Sequence, residues 1–222
     1  MTKGNAGSMQ AFLFDLDGTL IDSKLDLVHS VNAMLRETGR AEQATELVAS
    51  YIGHGAPQLI ASVLGPEADE EQRRVALAVF LECYEEQKLK LTRPYPGVVE
   101  GLYTLASYPM AVLTNKPTKM SEEILEGLQL AHFFRVVVGG DSFEKKKPDP
   151  TGALAILKEL GSPAVETAMV GDSDVDIQTA RNAGMLAVGV KYGFGQHNAE
   201  VCPADLYIDA LAELLQLTAK GA

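Results

Sequence analysis

The residues AFLFDLDGTL, at positions 11–20, decide the fold of this chain. The apolar run Ala11–Phe14 leads directly into two aspartates one residue apart, Asp15 and Asp17, and then into Gly18. A short apolar run bounded by turn residues is typical of a buried parallel strand, and open α/β sheets bind ligands beyond the carboxyl ends of such strands. Because side chains alternate along an extended chain, both carboxylates can face one site. The stretch therefore predicts a strand that ends at a crevice with two acids.

The two acids alone leave three interpretations open. Paired carboxylates suit a divalent cation, and they equally suit a nucleophile with a proton donor. A plain turn at the strand end is the third interpretation, because Asp-Gly is a common turn dipeptide.

The composition narrows the class of protein. The 222 residues are 46% hydrophobic and 22% charged, which is typical of a soluble globular protein. No apolar run approaches the roughly 18 residues of a membrane span, and the N-terminus lacks the features of a signal peptide, so we expect a cytoplasmic protein without a membrane partner. The net charge of −11 argues against a nucleic-acid partner and requires local cations or a metal to hold an anionic substrate. Cys83 and Cys202 are predicted to be free thiols.

The pattern of apolar residues divides the chain into a helical block and an α/β part. Residues 1–9 are small and polar, and we leave them outside the predicted fold. Residues 22–91 carry helical patterns without a strand-like run, and Thr92–Gly97 is a linker rich in proline. Strands then alternate with helices, which predicts a mostly parallel sheet covered on both faces. We predict an α/β core of residues 10–21 and 92–222 with an all-helical domain inserted at 22–91.

The predicted elements have definite bounds. Within the helical block, a first helix ends near Gly39, and the others are Thr45–Ile52, Ala56–Leu64 and Asp69–Leu91. The strands after the linker are Met110–Thr114, Arg135–Gly139, Thr167–Gly171, Leu186–Val190 and Leu206–Ile208. The helices between them are Val98–Ser107, Met120–Gln129, Thr151–Leu160 and Val175–Ala183.

Polar clusters follow three of these strands. They are Thr114-Asn115-Lys116, the loop 145–150 with sequence KKKPDP, and Gly171-Asp172-Ser173 with the nearby Asp174 and Asp176. Parallel strands put their carboxyl ends at one edge of the sheet, so we expect these clusters to meet the opening acids. Carboxylates, a hydroxyl, an amide and a lysine suit a phosphoryl group bound together with a hard cation such as Mg²⁺.

DLDGT, the Thr114 cluster, KPDP and GDSDVD resemble, in order and spacing, the four motifs of the haloacid dehalogenase (HAD) superfamily of phosphohydrolases. The resemblance covers nearly the whole chain and implies a Rossmann-like α/β core with the helical block as an inserted cap. LFDLDGTLIDS, YIGHGAP and PYPGV are most similar to the phosphoglycolate phosphatase group. This similarity implies Mg²⁺-dependent hydrolysis of a small phosphorylated metabolite, with 2-phosphoglycolate as the expected substrate, by a monomer or homodimer.

The resemblance also implies a role for each motif residue. Asp15 is expected to attack phosphorus and become an aspartyl phosphate, and Asp17 to act first as general acid and then as general base. Lys147, which directly precedes Pro148, is expected to neutralise the phosphoryl charge and to orient Asp15.

Phosphate and metal ligands follow in the same way. Thr114, Asn115 and Gly18 are expected to bind the phosphoryl group. The Asp15 carboxylate, the Asp17 backbone carbonyl and Asp172 are expected to hold Mg²⁺, with Asp176 in support. His54, which lies between two glycines of the cap, is either a substrate contact or a residue placed by its loop.

Other residues of these segments have simpler interpretations. Lys145 and Lys146 are predicted to be solvated, Asp174 to begin a helix, and Tyr95 to pack at the linker. Tyr192 with Gly193 and Gly195 is predicted to form a flexible turn rather than a loop at the site, and His29, His132 and His197 have no predicted role.

Two alternative functions stay open, and three others are disfavoured. The same motifs serve a sugar-phosphate mutase of the β-phosphoglucomutase type and phosphatases that act on pyrophosphate, nucleotides or sugar phosphates. A phospho-acceptor signalling domain is disfavoured by the helical insertion, and a catalytically inactive interaction module is disfavoured because every motif residue is present. Cleavage of a carbon–halogen bond is disfavoured by Asp17, because the dehalogenase branch lacks an aspartate at that position.

Overall fold

The computed structural model describes residues 8–195 and 200–219, and a parallel sheet lies at its centre. The strands in chain order are β1 (Ala11–Phe14), β2 (Ile21–Asp22), β3 (Arg93–Pro94), β4 (Met110–Leu113), β5 (Val136–Val138), β6 (Thr167–Gly171), β7 (Leu186–Val190) and β8 (Leu206–Ile208). Within the described residues the central sheet has six strands, in the order β5-β4-β1-β6-β7-β8, and every neighbouring pair is parallel.

Helices surround this sheet. They are α1 (Lys24–Glu37), α2 (Thr45–Ala49), α3 (Ala56–Leu64), α4 (Glu70–Gln87), α5 (Val98–Thr104), α6 (Thr118–Gly127), α7 (Thr151–Leu160) and α8 (Asp174–Ala183). Short 3₁₀ segments follow at Ala131–Phe133, Ala164–Glu166 and Leu211–Leu217. The predicted α/β fold with a mostly parallel sheet flanked by helices is therefore confirmed. None of the helices in the described ranges is long and apolar enough to cross a membrane.

The sheet is buried on both faces, as a parallel sheet requires. Phe12 and Phe14 of β1 face one apolar core, which also includes residues of α1, α3 and α4. Ala11 and Leu13 face a second core on the opposite side, built with α7 and α8. All four side chains are fully buried, which explains why the β1 sequence is continuously apolar.

The position of β1 determines where ligands bind. The chain continues from β1 to β4 and β5 on one side and returns to β6, β7 and β8 on the other side. Such a reversal of strand order leaves a crevice beyond the carboxyl ends of the two strands that flank it. Asp15 follows β1 and Asp172 follows β6, so both acids lie at this crevice.

Four helices, α1 to α4, lie between the short strands β2 and β3, and we call residues 24–87 the helical insert. Helix α1 packs against α4. The N-terminus of α4 is closed by a capping box, in which Asp69 accepts from the Gln72 backbone N–H at 2.8 Å and Gln72 accepts from that of Asp69 at 3.1 Å. The insert matches the predicted helical block, and its division from the core as a separate domain at 22–91 stays a prediction.

Several predictions about local structure were wrong. Helices α2 and α5 end three residues earlier than predicted, and α6 begins and ends two residues earlier. Helix α4 ends at Gln87 instead of Leu91, because the Leu91 N–H bonds to the Asp26 carboxylate. The linker is not without secondary structure, since β3 pairs antiparallel with β2. Met9 belongs to the fold, because its side chain is buried and its N–H donates to Leu217 O at 2.8 Å.

Candidate active site

Asp15 lies directly beyond β1, beside a buried lysine. Lys147 Nζ is 2.8 Å from Asp15 Oδ1 and 2.7 Å from Asp176 Oδ1, and all three side chains are buried. Burial raises the pKa of Asp15 to about 7, although the positive charge of Lys147 lowers it in part. Burial alone would lower the pKa of Lys147, but Asp15 and Asp176 outweigh it and raise that pKa. Lys147 therefore remains a cation that holds Asp15 in position.

Three acids form a compact group around this pair. Asp15, Asp172 and Asp176 each have a carboxylate oxygen within 4.8 Å of the others. Burial raises the pKa of Asp172 well above its usual range, and the charges of Asp176 and Asp15 raise it further. One lysine does not balance three carboxylates, so the donor set fits a hard divalent cation that takes oxygen ligands.

Asp176 belongs to this acid group itself, whereas we predicted only a supporting role for it. Its Oδ2 accepts from the Ser173 backbone N–H at 3.1 Å and from Ser173 Oγ at 2.6 Å. It therefore acts as a capping partner in the first turn of α8 while its other oxygen contacts Lys147. As predicted, Asp174 is the first residue of α8.

The loop after β7 packs onto Asp172. The Gly195 N–H donates to Asp172 Oδ2 at 2.6 Å, and Tyr192 Oη donates to Thr19 O at 2.9 Å. The prediction of a flexible turn was therefore wrong, because these residues form one wall of the acid group. Tyr192 also packs against Tyr95 of the linker, with ring centroids 5.0 Å apart.

The Asp17 carboxylate lies outside the acid group. Its Oδ2 is 2.8 Å from Lys116 Nζ, and its Oδ1 accepts from Ser23 Oγ at 2.5 Å. Lys116 Nζ also donates to Tyr84 Oη, at 2.9 Å, and Tyr84 belongs to α4. The two acids of the opening motif therefore have separate partners, and the Asp17 backbone carbonyl stays only a predicted metal ligand.

Thr114 and Asn115 lie at the carboxyl end of β4, as predicted. Thr114 Oγ1 accepts from the Lys116 N–H at 3.2 Å. Asn115 Nδ2 donates to Gly53 O at 3.0 Å and to Lys147 O at 3.2 Å, so its amide connects the helical insert to the Lys147 loop. Phosphate binding by these two residues stays a prediction.

His54 is exposed, although Gly53 and Gly55 on either side of it line the cavity of the site. A substrate contact of His54 stays a prediction. Lys145 and Lys146 are exposed, as predicted. Both cysteines are free thiols, as predicted. His197 lies outside the described residues.

A cavity of about 50 Å³ lies between the sheet edge and the helical insert, which is a few times the space that one water molecule needs. The sheet edge contributes Asp15, Asp17, Thr114, Asn115 and Lys116 to its lining. Apolar side chains of the insert close the other side, among them Leu27, Ile52, Leu59, Phe80 and Leu81. This geometry can hold a small group against Asp15 and keep bulk water away from it.

Sequence reasoning missed two members of the site, Ser23 and Tyr84. Lys116 belongs to the polar cluster that the sequence placed at this edge, but no role was predicted for it. Ser23 follows the opening motif closely but has no motif of its own. Tyr84 lies on a helix whose sequence indicates only packing, so its contact with Lys116 required the folded chain.

The fold and the site together define a hydrolase of the haloacid dehalogenase-like family. Residues 12–190 match the model of the family described as haloacid dehalogenase-like hydrolase, and the chain belongs to this family. It is an enzyme of the phosphoric monoester hydrolase class.

Individual relatives are similar over nearly the full chain. The phosphoglycolate phosphatase of Pseudomonas syringae pv. syringae is 41% identical over 91% of this chain and 77% of its own length. That of Vibrio cholerae is 38% identical over 95% of this chain and 97% of its own. The crystal structure of a predicted phosphoglycolate phosphatase from Haemophilus somnus has a TM-score of 0.87 and 32% identity, and the match covers 94% of this chain and 97% of that one.

Proposed function

We propose that this protein is a Mg²⁺-dependent phosphatase that hydrolyses 2-phosphoglycolate through an aspartyl phosphate on Asp15. The observation that carries the proposal is the pairing of Asp15 with Lys147 at the floor of a small cavity, next to a second acid, Asp17, with different partners. The names of the relatives support the choice of substrate.

The reaction takes two steps. In the first, Asp15 forms a bond to phosphorus while the bond to the ester oxygen breaks, and Asp17 gives its proton to that oxygen so that the alcohol leaves. In the second, a water molecule forms a bond to phosphorus while Asp17 takes a proton from it and the bond between phosphorus and the Asp15 oxygen breaks, which frees Asp15 and releases inorganic phosphate. Lys147 balances negative charge on Asp15 and on the phosphoryl group throughout.

The acid group is the place for the metal. Asp15, Asp172 and Asp176 would hold Mg²⁺, with the Asp17 carbonyl as a further candidate ligand. When bound, the ion supplies positive charge that stabilises the phosphoryl oxygens in the transition state.

The cavity supports a small substrate. The cavity is only a few times the space that one water molecule needs, which favours a small leaving group over a hexose or a nucleoside. This disfavours the mutase and the nucleotide or sugar phosphatases among the alternatives. We further propose a cytoplasmic location, which the two free thiols support. A monomeric or homodimeric state stays a prediction.

The experiment is steady-state hydrolysis of a panel of phosphate esters with Mg²⁺. The panel includes 2-phosphoglycolate, nucleotides, sugar phosphates and pyrophosphate. We expect the highest kcat/KM for 2-phosphoglycolate. A higher value for another ester would refute the substrate, and isomerisation of a sugar phosphate without phosphate release would show a mutase.

A further inference from the structure

The cavity contains a positive charge that the two-step reaction does not use. Among the described residues that line the cavity, Lys116 is the only cationic one. Lys147 contacts Asp15 and Asp176 behind this lining. A second negatively charged group of a substrate, besides its phosphoryl group, can therefore pair with a cation of the lining only at Lys116.

Lys116 is rigidly placed there. Its Nζ bonds to Asp17 Oδ2 at 2.8 Å and to Tyr84 Oη at 2.9 Å, and it lies 4.5 Å from the centre of the Tyr84 ring. An ammonium group has three donors. Within the described residues its acceptors are the two carboxylate oxygens of Asp17, Oδ1 at 3.1 Å and Oδ2 at 2.8 Å, and Tyr84 Oη. A ligand anion at this position therefore shares the charge of Lys116 with Asp17.

An anion is the ligand group that gains most from Lys116 in this cavity. The remaining walls are mostly apolar, with Leu27, Ile52, Leu59, Phe80 and Leu81 among them. A carboxylate that enters such a cavity without a cation loses its hydration and is strongly disfavoured. Beside Lys116 the same carboxylate makes a charge-assisted hydrogen bond.

We propose that Lys116 binds the carboxylate of the leaving group and so selects phosphomonoesters of 2-hydroxy acids. The inference rests on the proposed phosphatase function, in which Asp17 meets the ester oxygen. In 2-phosphoglycolate one methylene separates that oxygen from the carboxylate. Because Lys116 contacts Asp17 directly, a molecule whose ester oxygen meets Asp17 places its carboxylate within reach of Lys116.

The test compares two substrates of similar size, 2-phosphoglycolate and the uncharged 2-hydroxyethyl phosphate. Wild type is expected to favour 2-phosphoglycolate by roughly 10- to 100-fold in kcat/KM, the value of one hydrogen bond between charged groups. Lys116→Met is expected to remove most of this preference. Because Lys116 also contacts Asp17, this variant is expected to slow both esters, and the ratio of the two kcat/KM values removes that common loss.

Lys119→Met is the matched control, because Lys119 lies three residues further along the chain, in the first turn of α6, with its side chain 88% exposed. It is expected to keep the wild-type ratio. An unchanged ratio in Lys116→Met would overturn the inference. If Lys116→Met does not fold, the wild-type protein still tests the inference, because equal kcat/KM values for the two esters would also overturn it. Failure of the proposed function would look different, because neither ester would then be hydrolysed.

Discussion

Gly18 lies between the two opening acids and Asp172, at a position that has no room for a side chain. A Cβ atom there would be 1.9 Å from Asp172 Oδ2, and the backbone has a φ of +84°. Gly39 has a similar φ of +72° but nothing within 4 Å of its Cβ position. The two glycines therefore share the backbone conformation and differ in their contacts.

This difference gives a prediction about single residues. Gly18→Ala is expected to lower kcat by about 100-fold, because Asp172 must move and a shift of about 1 Å in a site has an effect of that size. Gly39→Ala is expected to keep its activity. Both variants are expected to lose about 1 to 2 kcal/mol of unfolding free energy, because alanine is strained in the left-handed backbone conformation. Phosphatase assays and thermal melts separate the two effects. Equal activity of both variants would contradict the placement of Asp172.

The sequence was sufficient to identify most side chains that meet at the sheet edge. Asp15 and Asp172 directly follow strands, and Lys147 lies in the loop after β5. Because the carboxyl ends of parallel strands share one edge of the sheet, the sequence predicts that these three residues meet. The Lys116–Tyr84 contact could not be predicted, because it depends on how α4 lies over the sheet. The Gly195–Asp172 hydrogen bond joins two loops and likewise has no local pattern.

At the level of elements, Asp26 connects the two ends of the helical insert. This residue of α1 is fully buried, and its carboxylate accepts from the N–H groups of Leu91 and Thr92 and from Thr92 Oγ1. The chain that leaves the sheet and the chain that returns to it are thereby held side by side, next to the β2–β3 pair.

Asp26→Ala is expected to lower the free energy of unfolding by roughly 3 kcal/mol, because it removes a charged acceptor and leaves buried donors unpaired. Asp69→Ala is the matched control, since Asp69 is the exposed N-cap of α4, and a lost cap costs about 1 kcal/mol. Urea unfolding measures both values. A loss in Asp26→Ala no larger than that of the control would show that this connection contributes little.

The ends of elements were harder to predict than the elements themselves. Strands β6, β7 and β8 have the predicted bounds, because turn residues or sharp changes in polarity flank them. Helix α4 ends early because the side chain of a distant residue, Asp26, captures the following backbone. The helix propensities of residues 69–91 do not indicate that Asp26 will bind the backbone after the helix.

For the molecule as a whole, the acid group makes stability depend on pH and on metal. In metal-free protein the pKa of Asp15 rises from 3.8 in a free carboxyl to about 7. The folded state then binds more protons than the unfolded state between these values, so stability falls as pH rises from about 4 to about 7. Asp172 acts in the same direction.

A divalent cation should reverse this loss. Mg²⁺ at 100 times its Kd is expected to raise Tm by about 5 to 10 °C at pH 7.5 and by less at pH 5, where protons compete for the carboxylates. Asp172→Asn is expected to reduce the shift, whereas Glu144→Gln, an exposed change in the Lys147 loop, should retain it. A thermal melt with and without chelator measures the effect. An equal shift at both pH values would contradict a metal site in the acid group.

The proposed role of Asp15 as the nucleophile is tested most directly by hydrolysis of 2-phosphoglycolate by Asp15→Asn. Asp22→Asn is the matched control, because Asp22 is an exposed aspartate of β2 close to the opening motif. We predict that kcat falls by at least about 10⁴-fold in Asp15→Asn, as expected when a nucleophile is lost, and stays near the wild-type value in Asp22→Asn. Turnover by Asp15→Asn within tenfold of wild type would contradict the account.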